Sequence, residues 1–260
     1  MKLFDSHSHI DDLCYKKDFN EMLARAREYS VHGIMIVGTN EKSSIRAVRL
    51  AENHKNFITS VGVHPHDTEK CSDKVIKALK TLARENSCVR AWGETGLDFN
   101  RMHSPKDIQE KWFEEQMYAA YSLDLPMIFH ERDSGGRFLE MLKSAGLNKR
   151  KGVVHCFSGT REEMFQYLDL GYYIGITGIL TIMQRGAVLR ELCLLIPDNR
   201  ILIETDAPYL TPAPIKNKVR RNEPGFVKFV LQRLAEIKNQ DMEELGAVIW
   251  QNTIDLYGEI

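Results

Sequence analysis

The sequence predicts an α/β chain of the (β/α)8, or TIM-barrel, class, forming a single domain over residues 1–260, and three observations lead there. The length of 260 residues is the usual size of that architecture. Short apolar runs recur along the whole chain with amphipathic stretches between them, the pattern of a parallel sheet covered by helices. Eight such units occur, which favours a closed sheet over an open, doubly wound one.

In order, the first run is Leu3–Asp5. Phe19, Met22, Leu23, Ala26 and Tyr29 then fall at helical spacing before the second run, Gly33–Val37. The third is Phe57–Val63, after which Ser72-Asp73 has the composition of a helix start. Val89–Gly93 is the fourth. A helical pattern over Ile108–Leu123, carried by Phe113, Met117, Ala120 and Tyr121, leads to the fifth, Leu125–Phe129. Gly152–Val154 is the sixth, and Thr160-x-x-Glu163 reads as a capping box ahead of the seventh, Tyr172–Ile176. Ile201–Ile203 is the eighth, and Asp241–Leu256 has the pattern of a closing helix. No Ser/Gly linker or charge block divides the chain.

A formal net charge of −1 provides no global positive field, so any site for a polyanion must be local. The five cysteines are scattered without a Cys-x-x-Cys, which argues against a disulfide framework or a thiolate zinc site and for reduced thiols. Met1–Phe4 runs directly into a strand, leaving no room for a signal peptide, and no apolar stretch approaches a membrane span. The expectation is a soluble, cytoplasmic monomer without membrane association.

In a (β/α)8 fold the active site sits at the C-terminal ends of the strands. Polar residues gather there: Asp5-Ser6-His7-Ser8-His9, Gly62-Val63-His64-Pro65-His66, Gly93-Glu94-Thr95-Gly96-Leu97-Asp98, His130-Glu131-Arg132, His155-Cys156-Phe157-Ser158-Gly159 and Glu204-Thr205-Asp206-Ala207-Pro208. Strand side chains alternate, so His7 and His9 share a face, as do Glu204 and Asp206. His7, His9, Glu94, His130, His155 and Asp206 are a ligand set suited to divalent metal, because uncompensated polar groups at a packed strand end would cost free energy. The same rule sets other residues aside. Lys149-Arg150-Lys151 precedes strand six and reads as a solvated turn. His32 and His54 are expected to close helices, and His103 has no companion ligand.

Together the stretches DSHSHI, GVHPH, GETGLDF, IFHERD, VHCFSGT, YYIGITG and ETDAPYL, with RRNEP at Arg220–Pro224, resemble the TatD family of metal-dependent deoxyribonucleases, among the amidohydrolase-like barrels. The resemblance implies two divalent ions per chain (zinc, manganese or magnesium), with His7, His9 and Asp206 on one, His130 and His155 on the other, and Glu94 bridging. It implies hydrolysis of DNA phosphodiester bonds from the 3′ end of single strands. Asp206 is the expected proton acceptor, and Glu204 is expected to orient the site from behind. Some relatives lack the first His-x-His, which is intact here, and Thr95 stands where relatives often carry Cys or Ile.

Substrate contacts are expected from His64 and His66, from Arg132, from Arg161 at a helix N-terminus, from Tyr209 by stacking, and from Arg220 and Arg221 in a basic cluster with Lys216 and Lys218. Two alternatives share the residue pattern. One is a metal-dependent hydrolase of a small-molecule ester or C–N bond on the same barrel, since metal-activated hydroxide serves either reaction. The other is a non-catalytic metal-stabilised scaffold.

Overall fold

A computed structural model describes residues 1–146 and 151–259. Lys149 and Arg150 of the expected basic turn lie outside the described residues. The strands are β1 (Leu3–Ser8), β2 (Val31–Ile36), β3 (Phe57–Val61), β4 (Val89–Asp98), β5 (Met127–Arg132), β6 (Gly152–Val154), β7 (Tyr173–Ile176) and β8 (Ile201–Ile203). They follow chain order, β1 to β8, in one sheet. The α-helices among the described residues are α1 (Phe19–Glu28), α2 (Glu41–Glu52), α3 (Asp73–Glu85), α4 (Lys106–Leu123), α5 (Arg137–Ser144), α6 (Arg161–Asp169), α7 (Ala187–Cys193), α8 (Val227–Lys238) and α9 (Met242–Tyr257). By packing, these residues form two units, Met1–Ile36 with Ile174–Ile260, and Val37–Tyr173.

In the first unit β1 pairs with β2 and β7 with β8, both in parallel. Ser8 also bridges in parallel to Ala207, just beyond β8. The first strand thus meets the end of the last, as closure of a chain-ordered sheet requires. Every residue of β1 is buried, so its serines and Asp5 need internal partners. Ser6 Oγ donates to the Ile203 carbonyl at 2.9 Å, and Asp5 accepts from the amide and hydroxyl of Thr205 at 2.8 and 2.6 Å. α1 buries Met22, Leu23 and Ala26, the residues its period selects. Asp241 caps α9 by accepting from the amides of Glu243 and Glu244.

In the second unit β3–β4, β4–β5 and β5–β6 are parallel pairs. Ser72 caps α3, and Thr160 and Glu163 form the expected capping box on α6. Phe113, Phe129, Phe138 and Tyr172 build an aromatic core, with neighbouring ring centroids 5.1–6.1 Å apart. Fully burying each such ring contributes roughly 1.5–3 kcal/mol.

Helix α4 adds something that apolar periodicity hides. Gln109 and Gln116 are fully buried on it, and they act as backbone surrogates at the strand ends. Gln116 accepts from Val63 N–H at 2.7 Å and donates to the Val63 carbonyl at 2.9 Å. Gln109 accepts from Asp98 N–H at 2.8 Å and donates to the Asp98 carbonyl at 3.1 Å.

Two sequence expectations are corrected. β4 continues to Asp98 and β5 to Arg132, so Glu94 and His130 lie within strands rather than just past them. His32 belongs to β2 and does not close a helix; its Nδ1 meets the Ser30 carbonyl at 2.7 Å. His54 does lie just beyond α2, stacked on Phe57.

Candidate metal centre

In the first unit β1 delivers His7, and the chain immediately after it delivers His9; their ring centroids are 5.1 Å apart. Asp206 follows β8 and faces both: Oδ1 lies 3.8 Å from His7 Nε2 and 3.4 Å from His9 Nε2. Asp206 takes a left-handed conformation, φ 56°, which a non-glycine residue adopts only when its surroundings enforce it. The enforcing contacts are on both sides. Asp206 N–H donates to the His7 carbonyl at 2.9 Å, and the Asn222 amide donates to the carbonyls of Thr205 and Tyr209 at 2.9 and 2.6 Å. Burial pushes the Asp5 carboxyl well above the ordinary carboxylate range against the opposing bonds from Thr205, so Asp5 serves as an internal anchor for this turn. Glu204 is fully buried beside Gly175, where an added Cβ would lie 2.8 Å from both carboxylate oxygens. A side chain at 175 would force that carboxylate to shift.

In the second unit one oxygen, Glu94 Oε1, lies 2.8 Å from His130 Nδ1, 3.3 Å from His64 Nε2 and 3.4 Å from His155 Nε2. Gly96, at φ 147°, allows this: a Cβ there would collide with the His130 carbonyl, so its absence lets β4 lie tightly against β5. Asp98, in phase with Glu94, accepts from His66 Nε2 at 2.7 Å and His130 Nε2 at 3.2 Å. Burial alone would raise Asp98, but the bonds from His130 and His66 outweigh it and hold its carboxyl well below the usual carboxylate range. Burial likewise opposes protonation of His130, yet Asp98 and Glu94 hold it up at about 9. His64 goes the other way, pushed down to about 4, chiefly by burial.

The donor set fits divalent metal. Imidazole nitrogens converge with carboxylate oxygens in buried positions, and His64, Glu94 and His130 offer ligand atoms within 4.8 Å of one another. Among the described residues no thiol belongs to this cluster, and no two cysteines form a disulfide.

The other predicted contacts are distributed as follows. His66 stands 4.3 Å from His64, ring centroid to centroid, and His103, set aside in the sequence, lies 4.5 Å from His66. Tyr209 is 58% exposed, and its ring lies 6.2 Å from that of His9, centroid to centroid, at an interplanar angle of 65°. Arg132 ends β5, and Arg161 opens α6 over the Phe165 ring. Arg220 is exposed, as are Lys216 and Lys218. Arg221 differs: Asp18 holds it at 2.7 and 2.8 Å, and it lies over the Tyr15 ring, so its charge is met within the chain. Asp98, Gln109, Gln116 and Asn222 were not singled out from the sequence. The even spacing of Asp98 from Glu94 was the one available signal.

This fold and these histidine–carboxylate clusters define the class of (β/α)8 metal-dependent hydrolases. The family described as TatD related DNase matches residues 4–258, and the chain belongs to it. Among its relatives is the 3'-5' ssDNA/RNA exonuclease TatD of Citrobacter rodentium, 42% identical over 98% of each chain. The protein of the same description from Pantoea ananatis is 39% identical over 99% of this chain and 100% of its own. The solved structure of YJJV, a TatD homolog from Escherichia coli, superposes with a TM-score of 0.91 at 29% identity, covering 99% of this chain and 98% of that one. A TatD family hydrolase from Entamoeba histolytica gives 0.88 at 28% identity, over 99% and 98%. The predicted (β/α)8 fold is borne out.

Proposed function

We propose that this chain is a divalent-metal-dependent 3′–5′ exonuclease acting on single-stranded DNA and RNA ends. The observation that carries the reading is the Glu94 carboxylate set among three imidazoles, in a chain 42% identical to an exonuclease over nearly its whole length. Two ions are proposed: His7, His9 and Asp206 would hold one, and Glu94, His130 and His155 would hold the other. When bound, such ions supply Lewis acidity and acidify a water at neutral pH. Asp206 is positioned by its enforced turn to take a proton, and Glu204 supports the ligands from a fixed cradle. The exposed Tyr209 stacks on an unpaired base, while Arg132, Arg161, Arg220, Lys216 and Lys218 contact phosphates. Arg221 is assigned instead to holding the loop after β8.

The small-molecule alternative shares the ligands, but the organophosphorus hydrolase structures that also superpose are only 13–14% identical and support the fold alone. No helix among the described residues is long and apolar enough to cross a membrane. The family match over residues 4–258 supports one catalytic domain, which we place in the cytoplasm.

The test is a matrix of metals against 3′-labelled single-stranded DNA, RNA, duplex and small esters. Stepwise loss from the 3′ end is expected, abolished by chelator and reduced at least about a hundredfold in Asp206→Asn. Equal slow turnover by wild type and Asp206→Asn under every metal would sink the reading, and preferential turnover of the esters would favour the alternative.

A further inference from the structure

In the first unit the loops after β1, β7 and β8 each carry one exposed, large apolar side chain. Leu13 and Met183, 79% and 81% exposed, are the two most exposed large apolar residues among the described residues, and Tyr209 belongs to the loop between theirs. That order follows from the sheet: β8 pairs with β7 on one side, and Ala207 bridges to β1 on the other. Hydrogen bonds tie the three loops together. His9 N–H donates to the Ala207 carbonyl at 2.7 Å, and the Tyr15 hydroxyl donates to the Asn222 carbonyl at 2.6 Å. On the far side Ala213 N–H donates to the Thr181 hydroxyl at 2.8 Å. Leu13, Tyr209 and Met183 thus stand on one connected surface, with Asp206 in its middle segment.

Apolar side chains exposed singly are ordinary on protein surfaces. Here the backbone under each is braced. Asp12 caps the short 3-10 turn Leu13–Tyr15 by accepting from Cys14 N–H at 2.7 Å, and Tyr15 is fully buried, so the turn leaves Leu13 outside. Arg190 donates to the carbonyls of Leu180 and Ile182 at 3.1 and 3.0 Å and also to that of Met183. The Asn222 amide does the same for Tyr209 at 2.6 Å. Exposed cations follow in every loop: Lys16 and Lys17 after Leu13, Arg185 after Met183, and Lys216, Lys218 and Arg220 after Tyr209. Unlike Arg221, none of these has an ion-pair partner among the described residues. A lipid surface or a second copy of the chain would call for one continuous apolar patch. Alternating apolar and cationic positions match a strand in which bases and phosphates alternate.

We propose that Leu13 and Met183 are specificity-determining residues: apolar posts on either side of the Tyr209 loop, against which unpaired bases lie while the neighbouring cations hold the phosphates. The proposal rests on the nuclease reading above and adds to it the means of selecting single strands. A duplex keeps its base faces covered by stacking, whereas an unpaired strand can splay its bases onto apolar side chains. Contact through base faces is tolerant of sequence, because every base has such a face. Bracing of the three backbones matters for the same reason, since posts held in place lose less freedom when a strand arrives.

The test is binding of a fluorescent single-stranded oligonucleotide to metal-free protein, followed by anisotropy at several salt concentrations. The double variant Leu13→Ser with Met183→Ser should bind about tenfold more weakly, with Tm within about 2 °C of wild type because both side chains are exposed. Its slope of log affinity against log salt should be unchanged, since no cation is removed. Leu13→Phe with Met183→Phe should bind at least as tightly as wild type, because a ring replaces one apolar surface with another. An abasic strand of equal length separates bases from phosphates: wild type should bind it about tenfold more weakly than the base-bearing strand, and the serine variant no more weakly than wild type does. Unchanged affinity of the serine variant for the base-bearing strand overturns the proposal, and so does an equal loss on both strands. Sedimentation in which the serine substitutions disperse a dimer while strand binding stays intact also overturns it, and assigns the face to a second copy. If wild type cleaves no strand with any metal yet binding still depends on Leu13 and Met183, the nuclease reading fails and the base contacts stand.

Discussion

His64 and His130 stand 3.2 Å apart, and burial disfavours the protonated form of each. Their partners differ, and so do the outcomes. Carboxylates on both sides of His130 overcome its burial, whereas His64 gives one nitrogen to a backbone amide and keeps only a longer contact to Glu94. The consequence for stability follows from linkage. The His130 pKa is raised from 6.5 to about 9, so its contribution is fully present below 6.5 and is lost as pH rises through about 9. The His64 pKa is lowered from 6.5 to about 4, so folding disfavours its protonation and stability falls as pH drops below 6.5. Metal-free protein should therefore have its highest Tm near pH 6.5 to 7 and lose roughly several degrees by pH 9. Saturating zinc should flatten the alkaline side, because an ion takes the place of the His130 Nδ1 proton. Differential scanning calorimetry across pH, with and without zinc, checks both; a metal-free Tm that rises from pH 7 to 9 contradicts the first.

At the scale of elements, the site depends on how strand ends are terminated. The chain after β3 and the end of β4 have backbone groups without ladder partners, and α4 supplies amides where an ordinary amphipathic helix would place leucines. Gln116 serves both polar groups of Val63 and also accepts from Trp92 Nε1 at 3.2 Å. Gln116→Leu keeps the bulk but strands those groups in the interior, each unmade bond costing about 1–3 kcal/mol. We expect a loss of roughly 3 kcal/mol in urea unfolding at constant m. A stability change under about 0.5 kcal/mol would show that Val63 finds other partners.

For the whole molecule, a net charge of −1 means that long-range attraction to nucleic acid is weak and local chemistry must hold it. The exposed cations of the segment after β8 are Lys216, Lys218 and Arg220, since Arg221 is neutralised by Asp18. Replacing these three by alanine should raise KM at low salt and flatten the slope of log affinity against log salt by about 2, at ~0.7 per single-strand phosphate contact. Arg221→Ala should leave that slope unchanged and instead lower Tm, because it removes a bond network rather than a phosphate contact. Binding by fluorescence anisotropy at several salt concentrations separates the two outcomes. An unchanged slope in the triple variant means that the nucleic acid runs elsewhere.

The sequence by itself determined the fold class, the eight strand positions and the residue types at the strand ends. Periodicity and strand-end placement follow from local backbone geometry, which successive residues report directly. The placement of His7, His9, Glu94, His130, His155 and Asp206 in or just beyond strands was legible for that reason. The strand ends of β4 and β5 were not, because glycines at 93 and 96 look like terminators while in fact they admit close strand contact. What only the tertiary structure decided is who faces whom. It set Asp98 against two imidazoles, gave Asn222 the task of holding the turn at Asp206, drew Arg221 onto Asp18, and placed two buried glutamines at strand ends. These outcomes depend on hydrogen-bond directions between residues up to about two hundred positions apart, such as Arg221 and Asp18. Spacing along the chain carries no record of such directions.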